Sequence, residues 1–306
     1  MTDYKKRVFG CAVVKAINAN YNADFSGQPR TLPNGTVYAT DKAFKYTIKN
    51  YLKEVYLNDF VFYFKTLNEN LNPISLDEAY RKHFSEDADK DKKKVAKNLL
   101  SCIDIRFFGA TFAGKTNLSI HGPVQVNHAV NIWHENKIYN EQITSPFSNK
   151  SDDPDAEKGM TTIGRQAKLE EGHYLHHFSV NPQNLDDIAS LAGTDCKKLS
   201  DEDIDKLKEA MRRGATWYDS ASKAGCENEM LVWVQLKEGS KIVLPNFTNL
   251  IILKDEKEDG KCVYDFSKFK EVLSKVNDSL DLVEVFYNSQ TCKLENLPDK
   301  YQQFDL

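Results

Sequence analysis

Residues 109–116 read GATFAGKT and fit the phosphate-loop pattern G-x-x-x-x-G-K-[ST]. In such a loop the lysine and the backbone amides hold nucleotide phosphates, provided that a strand enters the loop and a helix leaves it. After Thr116, however, apolar and polar residues alternate as in a half-buried strand, and Pro123 stands where the second helical turn would be. The sequence therefore predicts a β-hairpin turn at residues 114–117 and argues against nucleotide hydrolysis.

Residues 18–30 read NANYNADFSGQPR, and oxygen-bearing side chains occupy alternate positions in the first half of this stretch. A calcium loop can have this pattern, but Asp24 is the single carboxylate, and Phe25 and Thr31 stand where the loop needs glycine and its final glutamate. The amide side chains that precede Arg30 would suit the phosphodiester backbone of a nucleic acid. Asn-rich turns that bond only within themselves explain the same composition equally well.

Three lysines, Lys42, Lys45 and Lys49, follow this loop at i, i+3 and i+7. Thr40 is a suitable N-cap for a helix there, and the spacing places the three lysines on one face, away from the apolar stripe. A solvated helix face accounts for them. Because Arg30 and the basic N-terminus add further positive charge, a phosphate-binding face explains the three lysines as well.

Charge is distributed unevenly along the 306 residues, whose net charge is −4. Residues 1–65 carry ten Lys/Arg and five Asp/Glu, which is 10 − 5 = +5, so the remainder carries −9. A chain with a basic front (residues 1–65) and an acidic body (residues 66–306) can place one face against a polyanion. An uneven but solvated surface would give the same numbers.

Three histidines, His173, His176 and His177, lie in a strand-like stretch, with the first and third on one side of the strand. We expect them at a polar strand face rather than at a metal, because no cysteine or carboxylate stands at a ligand spacing. The six cysteines are scattered and predict reduced thiols in a cytoplasmic protein. No apolar run approaches the about 20 residues that span a bilayer. We therefore predict no catalytic, cofactor-binding or metal-binding residues and no membrane partner.

The elements that must position these residues alternate between strands and helices. Capping boxes at Ser75/Glu78 and Ser200/Asp203 predict two helix starts, in addition to the helix after Thr40. Strand patterns occur at residues 7–17, 59–65, 102–113, 118–126, 173–180, 230–236, 249–253 and 282–287. This order predicts an α+β fold, with a mostly antiparallel sheet and two main helices on one side; a ferredoxin-like or RNA-recognition-like core fits it.

The stretch from residue 18 to residue 52, together with DIRFFGATFA, SIHGPVQV and TIGRQAKLEEGHYLHHFSV, resembles the Cas-seven backbone subunit of type I CRISPR Cascade complexes, in its subtype I-B form. The resemblance covers nearly the full length and keeps the order of the motifs. It implies one RNA-recognition-motif-like (ferredoxin-like) palm over residues 1–306. Two insertions are implied: helical fingers at 66–98 and a protruding thumb β-hairpin at 131–170.

The resemblance also implies a role in antiviral defence. Copies of such a chain polymerise along a guide RNA into a helical filament, and each thumb displaces one base, so that the bases between pair with target DNA. Other Cascade subunits are the further partners. Binding of this kind is directed to the backbone, and aromatic residues near the sheet could stack the displaced bases.

The family's guide contacts map onto the first loop, the helix after it, the GPVQ stretch and the returning thumb strand, where Met160 or Ile163 is the candidate wedge. The acidic thumb tip, residues 148–159, departs from what an RNA-touching element should carry. A metal-dependent ribonuclease that cleaves target RNA with Asp24, as in type III relatives, is the alternative; the type I resemblance favours a non-catalytic scaffold. The implied RNA-binding residues are Asn20, Asn22, Gly27, Gln28, Arg30, Lys42, Lys45, Lys49, Gln125, Met160, Ile163, Arg165 and Lys168.

Overall fold

The computed structural model describes residues 2–88, 90–148 and 160–306, except for the side chains of residue 148 and residues 160–163. Its longest strands are β1 and β8, and its longest helices are α1 and α6. The helices are α1 (Asp41–Val55), α2 (Leu76–Phe84), α3 (Lys92–Leu100), α4 (Ile103–Phe108), α5 (Asp186–Ala192), α6 (Asp201–Trp217) and α7 (Ser267–Ser274). The strands are β1 (Val8–Ala19), β2 (Tyr38–Ala39), β3 (Gly109–Ala113), β4 (Asn117–His121), β5 (Val124–Val126), β6 (Ala129–Val130), β7 (Ile138–Ser148), β8 (Met160–Val180), β9 (Cys226–Leu236), β10 (Ile252–Leu253), β11 (Cys262–Asp265), β12 (Leu280–Tyr287), β13 (Cys292–Glu295) and β14 (Gln302–Asp305).

The main sheet has seven strands in the order β14-β12-β9-β1-β8-β5, and β7 pairs with β8 beside this path. Every pairing in it is antiparallel apart from that of β12 with β14. The predicted α+β class and the mostly antiparallel sheet are therefore confirmed. Within the described residues, no helix is long and apolar enough to cross a bilayer.

One face of the sheet is covered by α1 and α6. Thr40 caps α1 by accepting from the Ala43 amide, and the helix buries Phe44 and Ile48 beneath it. Met211 of α6 packs in the same cluster. Three predicted helix starts are confirmed, at Thr40, Ser75 and Ser200, and so are both capping boxes. The two main helices lie on one side of the sheet, as predicted.

The opposite face of the sheet is covered by the C-terminal part of the chain. β10, β11 and β13 form a small sheet, and Phe247, Phe266 and Phe269 pack with Phe9 and Leu175 of the main sheet. The central strands of the sheet therefore carry a buried core on both faces. Exposed aromatic side chains lie on its outer strands, Phe147 on β7 and Phe304 on β14. That aromatic residues near the sheet stack displaced bases stays a prediction.

One expected strand is wrong, and a second, at residues 102–113, is wrong in its first half only. Residues 59–65 form no strand, because the buried Asp104 carboxylate accepts the amides of Phe62 at 2.8 Å and Tyr63 at 3.0 Å. Residues 103–108 form α4 instead of a strand, while residues 109–113 form β3 as expected. For residues 59–65, the local strand pattern is overridden by a tertiary contact.

Two further strand predictions need smaller corrections. The strand expected at residues 249–253 shrinks to β10, because residues 247–249 form a 3₁₀ turn. β8 includes the expected strand at residues 173–180 but is much longer than predicted.

Candidate nucleic-acid interface

The loop that follows β1, residues 20–30, is folded around one carboxylate. Asp24 Oδ1 accepts from the Ser26 amide at 2.8 Å, the Ser26 hydroxyl at 2.8 Å and the Gln28 amide at 3.0 Å. The Ser26 hydroxyl bond is the strongest of the causes that lower the pKa of Asp24. Asp24 is therefore an acceptor for the backbone of its own loop, as in an Asx-turn.

Gly27 lies at the exposed tip of this loop with φ +83°, a left-handed conformation that glycine adopts without strain. No heavy atom lies within 4 Å of the position that a Cβ would take. The backbone at the tip is thus open to a close approach from outside.

Two asparagines of the loop are used internally. Asn20 is buried, and its Nδ2 donates to the carbonyl of Gly27 at 3.1 Å and of Ala167 in β8 at 3.3 Å. Asn22 Oδ1 accepts from the amide of Thr40 at 2.9 Å and from its hydroxyl at 3.0 Å. These bonds fasten the loop to β8 on one side and to the start of α1 on the other.

The first turn of α1 carries a small charged cluster around Asp41. Its carboxylate lies 2.9 Å from Lys42 Nζ and 3.0 Å from Lys45 Nζ, and 3.8 Å from His128 Nδ1. Burial opposes ionisation of Asp41, but the hydrogen bonds from the two lysines lower its pKa overall. The Lys42 side chain is 80% exposed, so it can reach a ligand at the surface.

Lys49 lies further along α1 in a different environment. Its Nζ is 3.6 Å from Asp104, and the two side chains are only 17% and 1% exposed. The ammonium also lies over the rings of Tyr63 and Phe108. Burial lowers the pKa of Lys49 although Asp104 opposes the shift. The three lysines that the sequence places on one helix face therefore differ in accessibility.

Gln28 lies where the loop meets the β7–β8 hairpin, whereas Arg30 is bonded within the loop. Gln28 Nε2 donates to Asn140 Oδ1 of β7 at 2.7 Å. Arg30 Nε donates to the Ala23 carbonyl at 3.2 Å, and the side chain is partly exposed. The structure thus brings together the loop, the first turn of α1 and the base of the hairpin.

The hairpin itself carries two of the predicted cations. Arg165 is exposed and lies opposite Gln142 in the β7–β8 ladder. Lys168 Nζ is 3.6 Å from Glu141 Oε2. The backbones of Met160 and Ile163 belong to β8, but their side chains lie outside the described residues, and so do residues 149–159 of the acidic tip.

Gln125 is not brought to the loop. It is exposed on β5, where its Nε2 donates to the Gly122 carbonyl at 2.8 Å and its backbone lies opposite Ser179 of β8. Ser179 and Arg165 are 179 − 165 = 14 residues apart on β8, which is roughly 45 Å of extended strand. The candidate interface is therefore elongated.

Several cations of the basic front pair with acids from the acidic body. Lys6 lies 2.9 Å from Asp281 and Lys15 lies 3.3 Å from Glu227, in addition to the pair of Lys49 with Asp104. The charge asymmetry of the sequence is therefore partly cancelled in the folded chain. The accessible positive charge near the loop comes from Arg30 and Lys42 rather than from the whole front.

The phosphate-loop match is a hairpin turn, as predicted. β3 and β4 pair antiparallel, and no helix follows the turn. The Lys115 amide donates to Asp77 Oδ1 at 2.9 Å, and Lys115 Nζ lies 3.0 Å from Asp87. A phosphate cradle at a helix N-terminus is therefore missing at this turn.

Sequence reasoning missed two groups of residues. Tyr38 and the exposed His128 stack with ring centroids 6.1 Å apart beside Asp41, but they are too far apart in sequence to give a signal. His173 and His176 are fully buried rather than at a polar strand face, which corrects that expectation. Ligand atoms of His173, Glu171 and Cys262 lie within 4.8 Å of one another.

The ionisation of His173 is set by a buried acid. Burial alone would lower the pKa of His173, but the charge of Glu229 and the surrounding hydrogen bonds raise it to about 11. The one signal in the sequence was Glu171, which stands two residues before His173 on the same strand. Cys262 comes from β11, far along the chain.

Comparison with known proteins gives a consistent result. The family model described as "CRISPR-associated protein Cas7" matches residues 6–272. A chain of a structure titled "CRISPR RNA-guided surveillance complex" aligns with a TM-score of 0.51 at 13% identity, over 96% of this chain and 95% of that chain. A chain of a second structure, titled "CRISPR RNA-guided surveillance complex, pre-nicking", aligns with a TM-score of 0.57 at 13% identity, over 98% and 96%. No curated protein matches the sequence.

Proposed function

The chain belongs to the Cas7 family of CRISPR-associated proteins, and from this premise we propose that it is a non-catalytic scaffold subunit that binds the guide RNA of a type I, subtype I-B, Cascade complex. The observation that carries the proposal is the meeting of three elements: the loop at residues 20–30, the first turn of α1 and the base of the β7–β8 hairpin. The similar structures, which are titled as RNA-guided surveillance complexes, support it.

The proposed architecture is an RNA-recognition-motif-like palm with fingers and a thumb. The strand order β9-β1-β8-β5, with α1 after β1 and α6 after β8, supports the palm, because it is the order of a ferredoxin-like βαββαβ unit. α2 and α3 would be the fingers, since they pack in a core cluster of their own with the β3–β4 hairpin. The β7–β8 hairpin would be the thumb.

We propose that the chain contacts guide phosphates and leaves base edges free. Arg30, Lys42, Arg165 and Lys168 would supply positive charge, and the open backbone at Gly27 would allow close approach, so binding would depend on salt but little on sequence. Gln28 and Gln125 would add amide contacts. Asn20, Asn22, Lys45 and Lys49 would act by holding these groups in place, since each is engaged in internal bonds.

Copies of the chain would line up along one guide RNA in the cytoplasm and, with other Cascade subunits, present the guide to target DNA in antiviral defence. An overall charge of −4 is compatible with this role, because neighbouring copies can share one basic groove. The apolar wedge that displaces a base would come from Met160 or Ile163.

The proposal does not include a nuclease. Asp24 already accepts hydrogen bonds from three donors of its own loop, and it is not among the metal-ligand groups of the described residues. Asp24→Asn keeps an acceptor oxygen but removes the charge that a metal needs. If the complex with guide cuts complementary RNA at regular spacing with Mg²⁺, and Asp24→Asn abolishes the cuts, the ribonuclease alternative replaces the scaffold.

Nuclease protection tests the scaffold directly. The full chain would be expressed with a guide RNA, purified and treated with ribonuclease. We expect protected fragments whose lengths rise in equal steps with the number of bound copies. An RNA-free chain, or fragments without a repeating step, would contradict the proposal.

A further inference from the structure

A second constellation of polar residues lies inside the molecule, on the sheet face opposite α1. His173 of β8 and Glu229 of β9 are fully buried there. Glu171 of β8 and Cys262 at the start of β11 complete the group, so it joins the main sheet to the small C-terminal sheet. This group has no part in the proposed guide-binding surface.

The donor atoms have the spacing of a zinc site. His173 Nε2 lies 3.1 Å from Glu171 Oε1 and 3.9 Å from Cys262 Sγ. Zn²⁺ bonds of about 2.0 Å to nitrogen and oxygen and about 2.3 Å to sulfur separate tetrahedral ligand atoms by about 3.3–3.6 Å. The two distances to His173 Nε2 therefore need to change by only a few tenths of an ångström. The Glu171 oxygen and Cys262 Sγ lie within 4.8 Å of each other, so this pair closes by at most about 1.3 Å when both atoms bind one ion.

The second nitrogen of His173 is held as in known zinc sites. His173 Nδ1 lies 2.5 Å from Glu229 Oε2, which also accepts from the Tyr264 hydroxyl at 2.6 Å, while Cys292 Sγ donates to Glu229 Oε1 at 3.3 Å. A buried carboxylate on the far nitrogen orients the ring and makes the near nitrogen a better ligand. Thiolate, imidazole and carboxylate together favour zinc over magnesium or calcium.

We propose that Glu171, His173 and Cys262 bind one Zn²⁺ ion, which clamps β11 of the C-terminal sheet to β8. Binding releases the thiol proton of Cys262 and the Nε2 proton of His173, and it displaces the Lys257 ammonium, whose Nζ lies 2.7 Å from Glu171 Oε1. Lys257 is 36% exposed and Glu171 is 18% exposed, so the ion enters from their side and solvent fills the fourth position.

The competing explanation is an internal ion network without metal. In it, His173 carries protons on both nitrogens and bridges Glu171 and Glu229, while Lys257 balances the second carboxylate. The two explanations predict different outcomes for Lys257→Met. Removing a competing cation raises zinc affinity several-fold in a metal site, whereas in an ion network the chain takes up no zinc to begin with.

Metal content of the full chain is the first test. The protein is stripped with a chelator, loaded with Zn²⁺, desalted and analysed for metal and for its melting temperature. We expect about one zinc per chain and a higher melting temperature with zinc. Cys262→Ser should abolish both effects, whereas Cys226→Ser, which removes a buried thiol from the other face of the sheet, should preserve both.

A spectroscopic test separates a lost ligand from a lost fold. Co²⁺ in place of zinc should give a thiolate-to-cobalt charge-transfer band that Cys262→Ser removes while circular dichroism stays native. Glu171→Gln, at the partly exposed rim, should weaken Zn²⁺ binding without unfolding the chain. Tyr264→Phe should weaken it about tenfold through the loss of the bond to Glu229. A chain that retains no zinc, or a cobalt band that survives Cys262→Ser, would overturn the proposal.

Discussion

Lys42 in the first turn of α1 and Lys49 further along the same helix each pair with an aspartate, but in opposite surroundings. Lys42 is 80% exposed although its partner Asp41 is only 11% exposed, whereas Lys49 and Asp104 are 17% and 1% exposed. An ion pair whose lysine stays in solvent contributes little to folding, and that lysine can bind a phosphate, while a fully buried pair is needed to keep each charge compensated. The accessible first turn can therefore bind a ligand, and the buried part of the helix fixes where that turn lies.

The largest expected effect is on the buried side of this comparison. Lys49→Met keeps the apolar stem against Phe108 but leaves the Asp104 carboxylate without its cation, which should lower the free energy of unfolding by about 3–5 kcal/mol. Lys42→Met is the matched control and should change it by about 0.5 kcal/mol or less. Urea unfolding of the two variants measures the difference. Equal losses would show that the two pairs do not differ as described.

The pH dependence of stability, which depends on a buried histidine beside α1, tests the same difference between buried and exposed side chains. His176 is buried and stacks on Phe44, and burial lowers its pKa to about 4. Because the unfolded chain binds a proton near pH 6.5 and the folded chain does not, stability should fall as the pH drops from about 6.5 to about 4, by up to about 3 kcal/mol.

Unfolding free energies at about pH 7 and about pH 4.5 in wild type and His176→Gln measure this contribution. The variant should lose less stability on acidification than wild type. Identical acid sensitivity in wild type and His176→Gln would contradict the account.

The smallest effect is expected at the phosphate-loop match. Lys115 and Asp87 are both about half exposed, so Lys115→Ala should change stability by about 0.5 kcal/mol or less. Guide affinity should stay unchanged, and neither wild type nor variant should hydrolyse ATP. A clear loss of guide binding in Lys115→Ala would move the interface to the β3–β4 turn.

Local signals in the sequence predicted the parts of the fold that depend on neighbouring residues. The caps at Thr40, Ser75 and Ser200 set helix starts because each bond spans three residues. The absence of a helix after Thr116 could likewise be predicted, because apolar and polar residues alternate there and this alternation produces β4. Such features need no knowledge of distant partners.

Long-range anchors explain what the sequence could not predict. The buried Asp104 carboxylate accepts hydrogen bonds from the amides of Phe62 and Tyr63, and residues 59–65 therefore form no strand. The same carboxylate pairs with Lys49, which is why this expected contact residue is buried. The site around His173 was missed for the same reason, because Cys262 reaches it from a separate sheet. Burial of a charged residue depends on its spatial partners, and spacing along the chain does not reveal them.

The salt dependence of guide binding tests the central claim most directly. Each phosphate contact with single-stranded RNA contributes about 0.7 to the slope of log affinity against log salt concentration. Arg30→Ala/Lys42→Ala should therefore lower the magnitude of the slope by about 1.4 and weaken binding, while Lys82→Ala/Lys115→Ala, which removes the same charge from the α2 and β3–β4 region, should match wild type. Equal slopes for the two double variants would contradict the assignment of the guide phosphates to the loop and the first turn of α1.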